Sequence, residues 1–380
     1  MVTKSLQKLL FGIVLSGLLI PVSYAQTADT LLAFRFPELA SAFNAAEIVH
    51  AAILEEIVLT NKSPQADIGK NLLRESLTEL AAAKGSHYHT AGDHLAMLGP
   101  YRVFESRATP GLLAMLREDF PRAEADKAIA LSSTLSPNAV AVLQHGRQFQ
   151  SRLIEIYLDG AILDKQAAVD TAVADYLADN EHSVPAQPKS SSLLSNHPHA
   201  YAFRVGFPQL SGLTWASQWL QLATLEISIM SALDNELVAV GVDRAMELYI
   251  EKIARLHGSL MSLPSDIPTV PVISPNIYSA HSQAAIIIDN LSALKIVLSD
   301  ILAHPDVEDR AATINAMLAQ FTDKENYLDS EIDYLTFVLR GGIYNQGGPA
   351  FGGMEYSERN RSREAVDSPH VSRYPMGTSF

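Results

Sequence analysis

Apolar residues in this 380-residue chain return every three or four positions, which is the period of an α-helix and not of a strand. From Phe43 to Ile57, the residues Ala45, Ile48, Val49, Ala52, Ile53 and Ile57 fall on one broad arc, with Glu47, Ala51 and Glu55 opposite. Such a segment predicts an amphipathic helix with one buried face. Helix starts are marked by a hydroxyl residue followed by proline, at Ser63-Pro64, Thr109-Pro110, Ser136-Pro137 and Ser274-Pro275. The hydroxyl accepts a free backbone N–H, and proline sits at the first helical position, where its missing N–H costs nothing. The expectation is an all-α fold.

An internal repeat divides the chain. Phe34-Arg35-Phe36-Pro37-Glu38-Leu39 resembles Phe203-Arg204 followed by Phe207-Pro208-Gln209-Leu210. From Phe36 and Phe207 onward, an ungapped offset of 171 also matches Ala45 to Ala216, Ala52 to Ala223, Leu54 to Leu225 and Glu55 to Glu226. Ser136-Pro137-Asn138 resembles Ser274-Pro275-Asn276 at a different offset, 138. Two related helical units of unequal length follow. The expected organisation is two tandem antiparallel bundles, 26–182 and 201–340, joined by a Pro- and Ser-rich linker at 183–200. Residues 341–380 form a Gly-rich flexible tail whose aromatics, among them Tyr344, Phe351 and Tyr374, offer contacts to an envelope protein partner.

The first residues read as a secretory signal. Lys4 and Lys8 precede an apolar run from Leu9 to Ile20, Pro21 breaks it, and Ser23 and Ala25 place small residues for cleavage after Ala25. The run is shorter than the roughly 18–20 residues that span a bilayer. The stretch from Ala284 to Leu302 is interrupted by Asp289, Lys295 and Asp300, so no transmembrane segment is expected after cleavage, and a periplasmic or secreted location follows. The net charge of −14 argues against nucleic acid, which demands a concentrated basic patch. With no cysteine, the chain can form no disulfide, thiolate metal site or cysteine nucleophile. Any metal must be held by His, Asp, Glu or Met.

The densest polar cluster is the loop His87, His89, Asp93 and His94, with Met97 close by. Two imidazoles one residue apart can converge on one ion, and copper or zinc suits this donor set. His197 and His199 form a second His-x-His pair. The competing explanation is a histidine-rich loop in water. Glu47 and His50 have the Glu-x-x-His spacing of di-iron bundles. The repeat carries Gln218 and Gln221 at the matching positions, no second Glu-x-x-His occurs, and a solvated helix face accounts for the pair. Exported chains of two helical units bring imelysin-like proteins to mind, but the Gly-x-His-x-x-Glu motif of that family is absent, and membership is not claimed. Trp215 and Trp219, four residues apart, lie on one side of a helix and can line an apolar ligand pocket or simply fill the core.

No nucleophile elbow, phosphate loop or dinucleotide fingerprint is present, so catalytic residues are not assignable from motifs. Three functions fit these observations. The foremost is a non-enzymatic binding or assembly factor of the periplasm. The others are a copper- or zinc-binding accessory protein using the His-rich loop, and an enzyme whose site assembles from dispersed residues.

Overall fold

Four long apolar helices dominate the architecture. In the computed structural model, residues 31–82, 99–132, 134–231, 235–254, 266–340 and Gln346 are described. His87, His89, Asp93 and His94, residues 1–25 and the aromatics beyond residue 341 lie outside them. In chain order the principal helices are α1 (Pro37–Lys62), α2 (Asp67–Ala82), α3 (Arg102–Met115), α4 (Pro137–Leu158) and α5 (Lys165–Ala178). They continue with α6 (Pro208–Met230), α7 (Asn235–Ala254), α8 (Ser282–Ala303), α9 (Arg310–Thr322) and α10 (Glu331–Arg340). Among the described residues there is no strand, only one isolated antiparallel bridge between Lys189 and Leu328. The all-α expectation holds. No described helix is long and apolar enough to cross a membrane.

At the centre, α1 packs on α6 and α8, while α4 packs on α6 and touches α8. Helices from both halves of the chain thus share one hydrophobic core. Each fully buried Leu or Ile there contributes about 1.5–3 kcal/mol. This packing corrects the reading of α1 as a helix with one wet face. Glu47 and Ala51, expected opposite the apolar arc, are buried along with Val49 and Ile53, because α6 and α8 cover that side.

The helix starts divide into two kinds. Ser63 accepts from the Gln65 N–H, and Ser136 accepts from the Ala139 N–H, as a capping hydroxyl should. Thr109-Pro110 marks no start. Pro110 lies inside α3, and the Thr109 hydroxyl turns back to donate to the Glu105 carbonyl at 2.7 Å. Ser274 precedes a short helix, Pro275–Ala280, yet its hydroxyl donates to the Leu222 carbonyl and caps nothing.

α1 and α6 begin alike. Phe36 (φ −139°, ψ 65°) and Phe207 (φ −131°, ψ 62°) precede a proline at the first helical position. Each closes a preceding helical turn, Phe36 N–H to Leu32 O and Phe207 N–H to Phe203 O. In that register Leu32, not Phe34, stands where Phe203 stands. Leu32 and Phe203 are buried while Phe34 is exposed.

Residues 183–200 are an ordered connection. The Asn290 amide donates to the carbonyls of Pro185 and Gln187 and accepts from Lys189 N–H. The Lys189 ammonium reaches the Asn326 carbonyl at 2.9 Å. Beyond α10, Gln346 is buried and accepts from the Thr269 N–H at 3.1 Å.

Candidate functional site

Spacing on α1 sets the site. Glu47 and His50 lie three residues apart, so they are neighbours on the helix surface. Facing Glu47 and His50 across the core are Gln218 and Gln221 of α6 and Lys295 of α8. The Lys295 ammonium donates to both Glu47 oxygens, at 3.2 and 3.0 Å, and the Gln221 amide donates to Glu47 Oε2 at 3.1 Å. The Gln218 amide is anchored on the Ser292 carbonyl at 3.3 Å. All of these side chains are buried, and with Ser217 and Thr214 they line a cavity of about 10 Å³, room for about one water-sized guest.

Burial alone would push the Glu47 carboxyl up. The Lys295 ammonium, with Arg147 behind it, instead holds it well below the usual carboxylate range. Burial pushes the His50 imidazole down, only partly offset by Glu47, so His50 is neutral near pH 7. Its Nδ1 is 4.0 Å from Glu47 Oε1, beyond hydrogen-bond reach. Among the described residues, neither ring nitrogen of His50 nor Gln218 Oε1 has a hydrogen-bond partner. The site therefore holds a closed ion pair beside unpartnered donors and acceptors on His50, Gln218 and Ser217. It can accept a small neutral or polar guest by hydrogen bonds without disturbing the pair.

The solvated-face explanation of Glu47 and His50 is thereby corrected, since both are buried. Their α6 partners are the very residues the repeat matches to them. Lys295 had been visible only as an interruption of an apolar run, and that interruption was its signal.

The other expected site residues fall elsewhere. Trp215 and Trp219 are buried core side chains on α6 and do not line this cavity. His197 is buried with Nε2 3.4 Å from Asp300. The His199 ring lies 6.3 Å from that of His197 and 5.0 Å from that of His304, centroid to centroid. The structure thus sets a third imidazole beside the pair. Among the described residues, no group of three or more His, Asp or Glu is arranged to hold a metal ion.

No protein family, curated protein or solved structure matches the chain. The residues and their geometry carry the functional argument.

Proposed function

We propose that this chain is an exported, non-enzymatic binding or assembly protein of the bacterial envelope. It is built from two related helical units in tandem, 26–182 and 201–340, and its recognition element is the polar site where their first helices meet. One observation carries the reading. Side chains at two pairs of matching positions, Glu47 with Gln218 and His50 with Gln221, converge on one cavity. A second parallel supports the relation of the units. Glu55 accepts from the Ser132 hydroxyl, and its counterpart Glu226 accepts from Asn276, so each glutamate ties its helix to the approach to a later one. The pattern of residues 1–25 supports export. The tail from 341 supplies aromatic contacts for an envelope partner, and Gln346 gives it a fixed root.

Binding fits better than catalysis. An enzyme needs titratable groups converging on a pocket deep enough for substrate. The groups converge here, but the cavity has about 10 Å³, and Lys295 clamps the one carboxylate. Native mass spectrometry of residues 26–380 recovered from periplasm tests the reading. A bound species lost in Glu47→Gln/Lys295→Met supports it. No bound species, or one unaffected by the double variant, overturns it.

A second reading is copper or zinc binding through His87, His89, Asp93 and His94, with His197 and His199 as a further pair. It rests on the donor set His87, His89, Asp93 and His94, since His197, His199 and His304, though neighbours, are not arranged to hold an ion among the described residues. Elemental analysis beside His87→Ala/His89→Ala decides it. Near-stoichiometric metal lost in the variant sustains it, and no metal in either protein retires it.

A further inference from the structure

A seam of alternating charge runs from the far side of α1 to the surface. Arg147 of α4 donates through Nη2 to Asn44 Oδ1 at 3.0 Å and through Nε to Asp126 at 3.3 Å. Arg122 bonds the other Asp126 oxygen at 3.2 Å and also pairs with Glu155. The second Glu155 oxygen takes Arg152 at 3.2 Å. This linked set holds three guanidiniums and two carboxylates.

Among the described residues, Arg147 Nη1 has no hydrogen-bond partner, and neither has the Ser151 hydroxyl one turn along α4. Both residues are more than nine-tenths buried, and both line a second small cavity with Phe43, Asn44, Arg122 and Glu155. A buried guanidinium N–H without an acceptor costs at least about 1–3 kcal/mol. The face of the guanidinium is already spent on the Phe43 ring, 4.1 Å from its centroid, which leaves an edge to be bonded. Both free groups can donate, and a guest that only accepts completes them. Both Glu155 oxygens are engaged by Arg122 and Arg152, which blunts their repulsion of such a guest. The cavity, about 10 Å³, limits it to a few atoms.

We propose that the Arg147–Ser151 cavity is a binding site for a small monovalent anion of halide or formate size. Its cavity shares no lining residue with the Glu47 site. Chloride is the probe, read by the ³⁵Cl resonance of chloride in the presence of residues 26–380. Saturable excess broadening that formate removes is the expected result. Ser151→Ala, which deletes only the hydroxyl, weakens chloride binding about fivefold. Ser151→Asp places a tethered carboxylate beside Nη1, abolishes the broadening and makes the thermal midpoint indifferent to chloride. Absence of saturable broadening in the unaltered protein overturns the proposal, as does broadening that survives Ser151→Asp in full.

Discussion

Glu47 in the middle of α1 and Glu226 near the end of α6 are both removed from water, yet their proton affinities move in opposite directions. Glu47 faces the Lys295 ammonium and stays ionised. Glu226 is met by neutral donors, the backbone N–H and side-chain amide of Asn276 and the backbone N–H of Ile277, and burial pushes it up to about 7. Two more acids resemble Glu226. Glu105 accepts from Gln209 and Leu210 N–H at the start of α6 and is raised by burial to about 8. Asp289 accepts from the Val270 N–H and the Tyr334 hydroxyl and is raised by burial to about 7. Hydrogen bonds from helix starts do not offset desolvation at these acids, whereas one cation does at Glu47. The difference separates a buried charge built into a site from buried acids that tie helices together.

The largest effect should come from removing the cation. Lys295→Met leaves Glu47 buried without its counter-charge and should cost about 3–5 kcal/mol in urea unfolding at pH 7. Glu47→Gln/Lys295→Met removes both charges and should recover most of that loss. A single variant costing under about 1 kcal/mol, or a double variant no better than the single, would break the distinction between the two classes of acid.

Acidity sharpens it next. Glu105, Glu226 and Asp289 have folded-state pKa values raised above their unfolded ones. Their protonated forms therefore stabilise the fold fully below the ordinary carboxylate range, and that stability is lost as pH rises through about 7 to 8. For Glu226 alone the loss between pH 5 and pH 7 should be about 2–3 kcal/mol. Glu226→Gln should remove its share of the slope. Glu47 has the opposite sign, because its contribution is present above the usual carboxylate range and lost only as pH falls through its depressed value. Urea midpoints at pH 5, 7 and 9 decide the matter. Equal slopes in Glu226→Gln and the unaltered protein would show that Glu226 does not titrate where burial places it.

How much of this the residues disclosed depends on the kind of interaction. The helices were legible because Ala45, Val49, Ile53 and Ile57 carry a local period. The depth of α1 was not, since Glu47 was assigned to water on the strength of its own helix alone. What buries it comes from α6 and α8, between roughly 170 and 250 residues away. The signal that existed lay in pairs of observations. Gln218 and Gln221 match Glu47 and His50 through the repeat, and Asp289, Lys295 and Asp300 stand alone in an apolar helix. A charge that survives inside such a helix must be paired or hydrogen-bonded, and all three are. Asp300, for example, accepts from the Tyr201 and Phe203 N–H groups. Arg147 and its unpartnered Nη1 gave no comparable mark, because its neighbours come from Asn44 and Asp126 in separate segments.

The smallest expected effect contrasts the two Ser-Pro-Asn triplets. Ser136 caps α4 by accepting the Ala139 N–H and also donates to Asn315 Oδ1 at 2.8 Å. The Ser274 hydroxyl instead donates to the Leu222 carbonyl. Ser136→Ala should cost about 1 kcal/mol in urea unfolding at pH 7. Ser136→Asp should cost less than Ser136→Ala, because a carboxylate accepts the same N–H, favours a helix N-terminus and takes the Asn315 amide once that side chain turns its NH2 toward it. At position 274 the order should reverse. Ser274→Asp presses an acceptor against the Leu222 carbonyl in a buried setting and should be worse than Ser274→Ala. The same order at both positions would mean that the triplets do the same work, and the repeat would then extend from α1 and α6 to the starts of the helices that follow.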